Sequence, residues 1–150
     1  MPPVETDTFS VRKGAHQVGG RFSKTLHFDE QGIRDFASAA GDTNPLHHDR
    51  EIARRSRFGG IIASGAHYTA LMMGLVADHL TQDGEAVGLE FSFRFRKAVA
   101  AGSTLHAEWE IVQVEKNGKL GGEIIHLSGT LKRGDVIYVS AEGKVLSIVP

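Results

Sequence analysis

The sequence predicts a segregated α+β fold, in which an antiparallel sheet is wrapped around one long helix. One candidate strand comes first and a helical block follows; from Val87 onward the apolar residues change from a helical period to a period of two. The segment from Ser64 to Leu80 is apolar on nearly every side, as expected for a helix buried in a core. Strands that follow the helices, instead of alternating with them, favour an antiparallel sheet.

The first half of the chain predicts one strand and two short helices. Residues 20–28 form the candidate strand, and Asp29 stands where a helix N-cap is expected. Gly41 then ends the first helix in the position that a C-terminal glycine favours. Asp49 is placed to begin a second short helix that runs to about Arg57. The apolar residues of the first helix recur at helical spacing: Ile33, Phe36, Ala37 and Ala40.

The second half predicts four strands after the long helix. Apolar and polar residues alternate over 89–95 and 105–111, as in half-buried antiparallel strands. The dipeptide Asn117-Gly118 is a strong hairpin signal, and further strands are predicted over 123–132 and 136–148. We expect these four strands to form a meander. The complete element order is that of a hot-dog fold, a sheet around a long central helix.

Composition and charge restrict the class of protein. The chain of 150 residues suits a single domain over 1–150, with 1–19 expected to be a loosely ordered N-terminal segment. A net charge of −1 disfavours nucleic-acid binding. No apolar run approaches the roughly 20 residues that span a bilayer, and the start lacks the pattern of a signal peptide. We therefore expect a cytoplasmic protein that binds no membrane, and the absence of cysteine excludes disulfides and a thiolate nucleophile.

The run GDTNPLHHD, residues 41–49, is the strongest functional signal. Pro45 fixes its own φ and restricts Asn44 to extended conformations, so Asp42 and His47 project from the two arms of a stiffened loop. A neutral imidazole can accept a proton near pH 7, while a carboxylate holds the other hydrogen of the same water. Such a pair could add water to a double bond or remove it. The alternative is an ordinary turn, in which Asp42 and Asn44 bond nearby backbone and His47 is exposed.

This run resembles the hydratase-2 motif of the MaoC-like dehydratases, the (R)-specific enoyl-CoA hydratases. The motif positions are filled from Asp42 to His47, and the resemblance extends from the first predicted strand to the last. It implies a hot-dog fold and the hydration of trans-2-enoyl-CoA to (R)-3-hydroxyacyl-CoA, or the reverse. It also implies that Asp42 and His47 activate the water, while Asn44 and Pro45 shape the loop that meets the substrate. The substrate is then an acyl thioester of coenzyme A or of an acyl carrier, and no cofactor is implied.

The start of the long helix departs from the family pattern. Relatives often carry His-Gly there, whereas this chain has Ser64-Gly65, with His67 two residues later. The resemblance implies that the Gly65 N–H binds the thioester carbonyl, and the positive end of a helix dipole independently favours a developing enolate. Ser64 and His67 are candidate substrate-binding residues. Alternatively, Ser64 is simply the N-cap, and His67 is a packing residue with satisfied hydrogen bonds.

Two further clusters allow a functional and an ordinary interpretation. Arg54 and Arg57 belong to a basic cluster that could meet the phosphates of coenzyme A, although a solvated helix face is the commoner explanation. His47, His48 and Asp49 have metal-ligand side chains, but adjacent residues rarely converge on one ion, so no metal site is expected.

Two rival functions remain, and self-association is expected in addition. A hot-dog thioesterase would direct the same water to the carbonyl carbon. A non-catalytic subunit of a hot-dog heteromer would bind the acyl thioester without turning it over. Because an open sheet edge invites pairing and the long helix is apolar on several faces, we expect at least a homodimer with the long helices near the interface.

Overall fold

The computed structural model of the protein describes residues 16–148, and the predicted elements are present in that range. A 3₁₀ turn, Pro45–His47, lies between the first two helices. The other elements, in chain order, are β1 (Arg21–Phe28), α1 (Glu30–Ala39), α2 (Arg50–Arg55), α3 (Gly65–Leu80), β2 (Glu85–Phe95), β3 (Ser103–Asn117), β4 (Gly122–Arg133) and β5 (Val136–Ile148).

The five strands form one antiparallel sheet in the order β1-β3-β4-β5-β2. The predicted meander of four strands is therefore wrong for β2, which pairs with β5 at the far edge of the sheet. After β2 the chain crosses back towards β1: the N–H of Ala63 donates to the Val99 carbonyl, and the N–H of Gly102 donates to the Phe28 carbonyl. Alternation of apolar residues identifies a strand, but it carries no information on which strand becomes its partner.

Helix α3 packs against the inner face of the sheet and shares its core. Trp109 and Met72 are fully buried, and the indole Nε1 of Trp109 donates a hydrogen bond of 2.9 Å to the Met72 carbonyl. Gly129, opposite Trp109 in the register, leaves room for the ring, because a Cβ built there would lie 2.5 Å from it. Gly143 does the same for Phe91, at 2.6 Å. Glycines inside strands thus allow bulky aromatic residues between sheet and helix.

Strand β2 is an edge strand with exposed apolar side chains. Phe91 and Phe93 are partly buried against the core, in agreement with the predicted alternation. Leu89 lies where the register shifts between Gly88 and Glu90, and 46 % of it is exposed. Phe95, at the end of the strand, is 57 % exposed.

The predicted loosely ordered segment, 1–19, lies mostly outside the described residues. Its last part forms a turn that is hydrogen-bonded to β3: the N–H of Gly19 donates to the Ile111 carbonyl and the N–H of Ile111 donates to the Gly20 carbonyl, both at 2.8 Å. Across residues 16–148, no helix has the length and apolar character that crossing a membrane requires.

Candidate active site

The GDTNPLHHD loop leaves α1 through a helix end that its sequence specifies. Asp29 caps the start of α1 by accepting a hydrogen bond of 2.6 Å from the N–H of Gly32. At the other end, Gly41 has a φ of 74°, the left-handed conformation that glycine adopts most readily. The N–H of Asp42 then donates to the Ala37 carbonyl at 2.8 Å, which fixes the first arm of the loop to the last turn of the helix.

Short side chains bond the backbone of the loop and set its shape. One carboxylate oxygen of Asp42, Oδ1, accepts from the N–H of Asn44 at 3.0 Å. The side chain of Asn44 in turn accepts from the N–H of Leu46 at 3.1 Å, and Pro45 begins the 3₁₀ turn with its φ already fixed. The turn bonding that was one of the two interpretations of Asp42 and Asn44 is therefore present.

His47 is held in a defined orientation by the backbone of another segment. It is 5 % exposed, so the alternative interpretation, in which the imidazole is merely exposed, is wrong. Its Nδ1 lies 2.7 Å from the carbonyl oxygen of Ile62, and the N–H of Ile62 donates to the Leu46 carbonyl at 3.1 Å. Because a carbonyl oxygen only accepts, Nδ1 carries the hydrogen. In the neutral imidazole, Nε2 then keeps its lone pair.

The second carboxylate oxygen of Asp42 faces this lone pair. Oδ2 of Asp42 lies 3.5 Å from Nε2 of His47, which is longer than the roughly 2.7–3.2 Å of a direct N–H···O hydrogen bond. The carboxylate is about one third exposed, whereas the imidazole is almost completely buried. Two acceptors at this separation can each take a hydrogen bond from one water molecule, which the pair would then orient and deprotonate. Asp42 therefore makes the turn hydrogen bond through Oδ1 and at the same time faces His47 through Oδ2.

The start of α3 is connected to the same loop through Ile62. Gly65 follows Ile62 by three residues, so their Cα atoms are within about 11 Å of each other. Gly65 packs tightly against Phe95, because a Cβ built on it would lie 3.0 Å from the ring. Ser64 occupies the N-cap position, as the alternative interpretation of this residue expected, but its side chain makes no capping hydrogen bond. The N–H of His67, an ordinary target of such a cap, instead donates to the backbone carbonyl of Ser64 at 3.0 Å.

His67 packs between two aromatic rings. It stacks on Phe36 with ring centroids 4.6 Å apart and meets the edge of Phe28 at 5.3 Å. Burial lowers its pKa from the ordinary value of 6.5, because desolvation penalises the imidazolium. Within residues 16–148, neither Nδ1 of His67 nor Oγ of Ser64 has a hydrogen-bond partner, although both atoms are buried. The expected packing role of His67 is present, but its expected satisfied hydrogen bonding is not.

The candidate phosphate-binding arginines make local contacts. Arg54 and Arg55 each approach the same carboxylate oxygen of Glu51 at 2.8 Å. The guanidinium of Arg57 lies 6.0 Å from the centre of the Phe58 ring. These contacts lie within α2 and the residues directly after it, and none of them connects Arg54 or Arg57 to the Asp42–His47 pair.

Two contributions to the site were not predicted from the sequence. The carbonyl of Ile62 fixes the imidazole of His47, and Nε2 of His48 lies 2.6 Å from the backbone carbonyl oxygen of Asp42. In both contacts the acceptor is a backbone carbonyl. Every residue has one, so the identity of the side chain at that position does not predict the contact. His48 had been considered only as a possible metal ligand.

Comparison with known proteins identifies the family. A family model for the MaoC like domain matches residues 13–128. The 3-hydroxybutyryl-CoA dehydratase of Methylorubrum extorquens is 27 % identical over 110 residues, which are 73 % of this chain and 67 % of that protein. A mitochondrial 3-hydroxyacyl-[acyl-carrier-protein] dehydratase of Arabidopsis thaliana is 28 % identical over 89 residues, 59 % of this chain, and this chain spans about half the length of that relative (52 %).

A solved structure with a similar fold is the (R)-hydratase of A. caviae, which is involved in PHA biosynthesis. It superposes with a TM-score of 0.78 at 26 % identity, and the match covers 91 % of this chain and 98 % of that one. The family match and this superposition agree with the resemblance that the loop sequence indicated. The chain belongs to the MaoC-like domain family and has its hot-dog fold.

Proposed function

We propose that this protein hydrates trans-2-enoyl-CoA to (R)-3-hydroxyacyl-CoA, or catalyses the reverse dehydration, with Asp42 and His47 holding the water. The observation that carries the proposal is the distance of 3.5 Å between Oδ2 of Asp42 and Nε2 of His47. Because Nδ1 of His47 donates its hydrogen to the Ile62 carbonyl, the lone pair on Nε2 is left to face the carboxylate. Both groups accept hydrogens, so a water donating to both would have its oxygen lone pair free for attack.

The proposed reaction balances with one water and one enoyl thioester. The water oxygen bonds to the β-carbon while Nε2 of His47 takes one of its protons, and Asp42 holds the other hydrogen. The electron pair of the double bond moves towards the thioester, which becomes an enolate. The N–H of Gly65 and the positive end of α3 would stabilise that charge. The proton on His47 then passes to the α-carbon, and no cofactor is needed for this sequence of steps.

Three further observations support this assignment. The names of the similar proteins describe dehydration of a 3-hydroxyacyl thioester and an (R)-specific hydratase. Asn44 and Pro45 hold the loop in the shape that presents Asp42. Ser64 leaves the first turn of α3 without a side-chain cap. Since the N–H of His67 bonds the Ser64 carbonyl, the N–H of Gly65 is the one that we propose for the substrate oxygen.

We further propose that two copies associate through the β2 edge. Val87, Leu89 and Phe95 are all about half exposed on this edge strand, and Met73 of α3 is exposed beside it. A second β2 strand would cover the apolar side chains and satisfy the free backbone groups of the edge.

The test is a set of assays on the purified chain with crotonyl-CoA and longer trans-2-enoyl-CoAs. We expect loss of the enone absorbance, and chiral chromatography should find the (R) alcohol. Release of free coenzyme A thiol at the same rate, with no hydroxyacyl product, would identify a thioesterase instead. Binding of the thioester without any turnover would identify a non-catalytic subunit, and an (S) alcohol would contradict the proposed stereochemistry.

A further inference from the structure

The side chain of His48 closes the loop that carries the candidate catalytic pair. Its Nε2 lies 2.6 Å from the backbone carbonyl oxygen of Asp42, six residues earlier. Because that oxygen can only accept, Nε2 carries the hydrogen, and the imidazole remains a donor whether it is neutral in this tautomer or charged. The contact therefore joins the two ends of segment 42–48, which contains the 3₁₀ turn.

This contact restricts the backbone of Asp42 from a second direction. The N–H of Asp42 is already bound to the Ala37 carbonyl, and its Oδ1 is bound to the N–H of Asn44. With the carbonyl held by His48, three of the four polar groups of Asp42 have fixed partners. The remaining group, Oδ2, is the one that faces His47. A rotation of the peptide plane between residues 42 and 43 would have to break the His48 bond, and it would also displace the N–H of Asn44, which holds the carboxylate of Asp42 through Oδ1.

His48 is itself attached to the helical frame. Its own carbonyl accepts from Nε of Arg34 at 3.3 Å, and its N–H donates to the Pro45 carbonyl at 3.1 Å. Arg34 belongs to α1, where its guanidinium also lies 3.5 Å from Glu30. His48 thus connects Asp42 to Arg34 of α1.

We propose that His48 is a positioning residue, which fixes Oδ2 of Asp42 opposite Nε2 of His47 by holding the Asp42 carbonyl. This inference rests on the proposed function, because the distance between Oδ2 and Nε2 matters only if both groups bind one water. In this role His48 would contact neither that water nor the substrate. Its effect on turnover would come through geometry alone, since a misplacement of about 1 Å can reduce a rate on the order of 100-fold.

The kinetic test compares two substitutions of nearly equal shape. His48→Gln keeps an N–H donor at a similar reach, whereas His48→Met removes the donor and keeps the length of the side chain. We expect His48→Met to lower kcat with crotonyl-CoA by about tenfold or more with KM changed by less than about twofold, and His48→Gln to recover most of the loss. The matched control is His126→Met, which removes a 2.7 Å contact with Glu115 on the outer face of β4 and should leave kcat unchanged.

Crystal structures of the same variants supply a measurement that needs no activity. The Oδ2–Nε2 distance should stay near the wild-type value in His48→Gln and increase in His48→Met. The proposal is overturned if His48→Met keeps the wild-type kcat, if both variants lose kcat equally, or if the distance in His48→Met is unchanged. If the distance responds as expected while the wild-type protein hydrates no enoyl-CoA, His48 still positions Asp42, and the proposed function is what fails.

Discussion

The indole N–H of Trp109 reaches across the core to the backbone carbonyl of Met72, in the middle of α3, at 2.9 Å. The ring fits there because the residue opposite it in the sheet, Gly129, has no side chain. The contact therefore fixes how far the long helix lies from the sheet. Residues at both ends of α3, including Gly65 near the candidate site, depend on that separation.

We predict that Gly129→Ala destabilises the protein by about 1–3 kcal/mol, the usual range for overpacking a dense core. The new Cβ would lie 2.5 Å from the Trp109 ring and would force the indole or the helix to shift. Chemical denaturation measures the loss. The control is Gly118→Ala, because a Cβ at Gly118 meets nothing within 4 Å. Equal stability of both variants would show that the fit of Trp109 against position 129 is unimportant.

We predict that Asp42→Asn and His47→Ala each lower kcat with an enoyl-CoA by roughly 10²–10⁴-fold while the protein remains folded. The double variant should lose little more than either single variant, since in the proposed mechanism both residues hold the same water. Asp35→Asn makes the same chemical change on the exposed face of α1, where Asp35 contacts only Gln31 among the described side-chain hydrogen bonds, and should retain full turnover. A folded Asp42 or His47 variant with normal turnover would refute the proposed mechanism.

At the start of α3, Gly65→Ala should reduce turnover by about tenfold or more, because the added methyl group would push on Phe95 and shift the N–H groups of the first turn. Gly74→Ala, in the same helix, has open space around the new Cβ and should raise the free energy of unfolding by about 0.5–1 kcal/mol with no loss of activity. Steady-state kinetics and thermal melts of the two variants check this contrast. Equal kinetics in both would remove Gly65 from the site.

The β2 edge should control self-association. Leu89→Lys introduces a charge where we propose that the second copy pairs, so light scattering should report a shift from dimer to monomer at the concentration used in the assay. Val112→Lys is the matched change, because Val112 is equally exposed and also lies at a register shift, but in β3, which pairs with β1 on one side and β4 on the other. If the mass of Leu89→Lys equals that of the wild type, the interface lies elsewhere.

Stability should fall as the pH is lowered below about 6.5. Burial lowers the pKa of His67 below its ordinary value of 6.5, and desolvation does the same for His79 and His16. A histidine with a lowered pKa in the folded state stabilises the fold fully above its unfolded pKa and loses that contribution as the pH falls. Denaturation curves between pH 8 and 5 should show this trend, and His67→Phe should weaken it. An unchanged trend in that variant would exclude a contribution from His67.

The spacing of apolar residues and the residues of the loop motif predicted most of the features that depend on side-chain identity. Alternation located the strands, helical spacing located α1 and α3, and the run from Asp42 to His47 located the candidate pair. The pairing of β2 with β5 was missed, because alternation describes one strand and is silent about its neighbour. Ser64 occupies the N-cap position that one of its two interpretations gave it, but the side-chain hydrogen bond of a cap is not made, since the N–H of His67 bonds the Ser64 carbonyl and the serine side chain stays buried.

The contact between His47 and the Ile62 carbonyl has a consequence for mutagenesis of this protein. The acceptor that fixes the imidazole tautomer belongs to a peptide bond, so every amino acid at position 62 supplies it. A scan that replaces side chains one at a time would classify Ile62 by its packing and overlook its part in orienting His47. A substitution at position 62 that keeps the path of the backbone would leave the same protonation pattern on His47. Part of the candidate site is therefore encoded in the path of the chain, where comparison of aligned side chains does not reveal it.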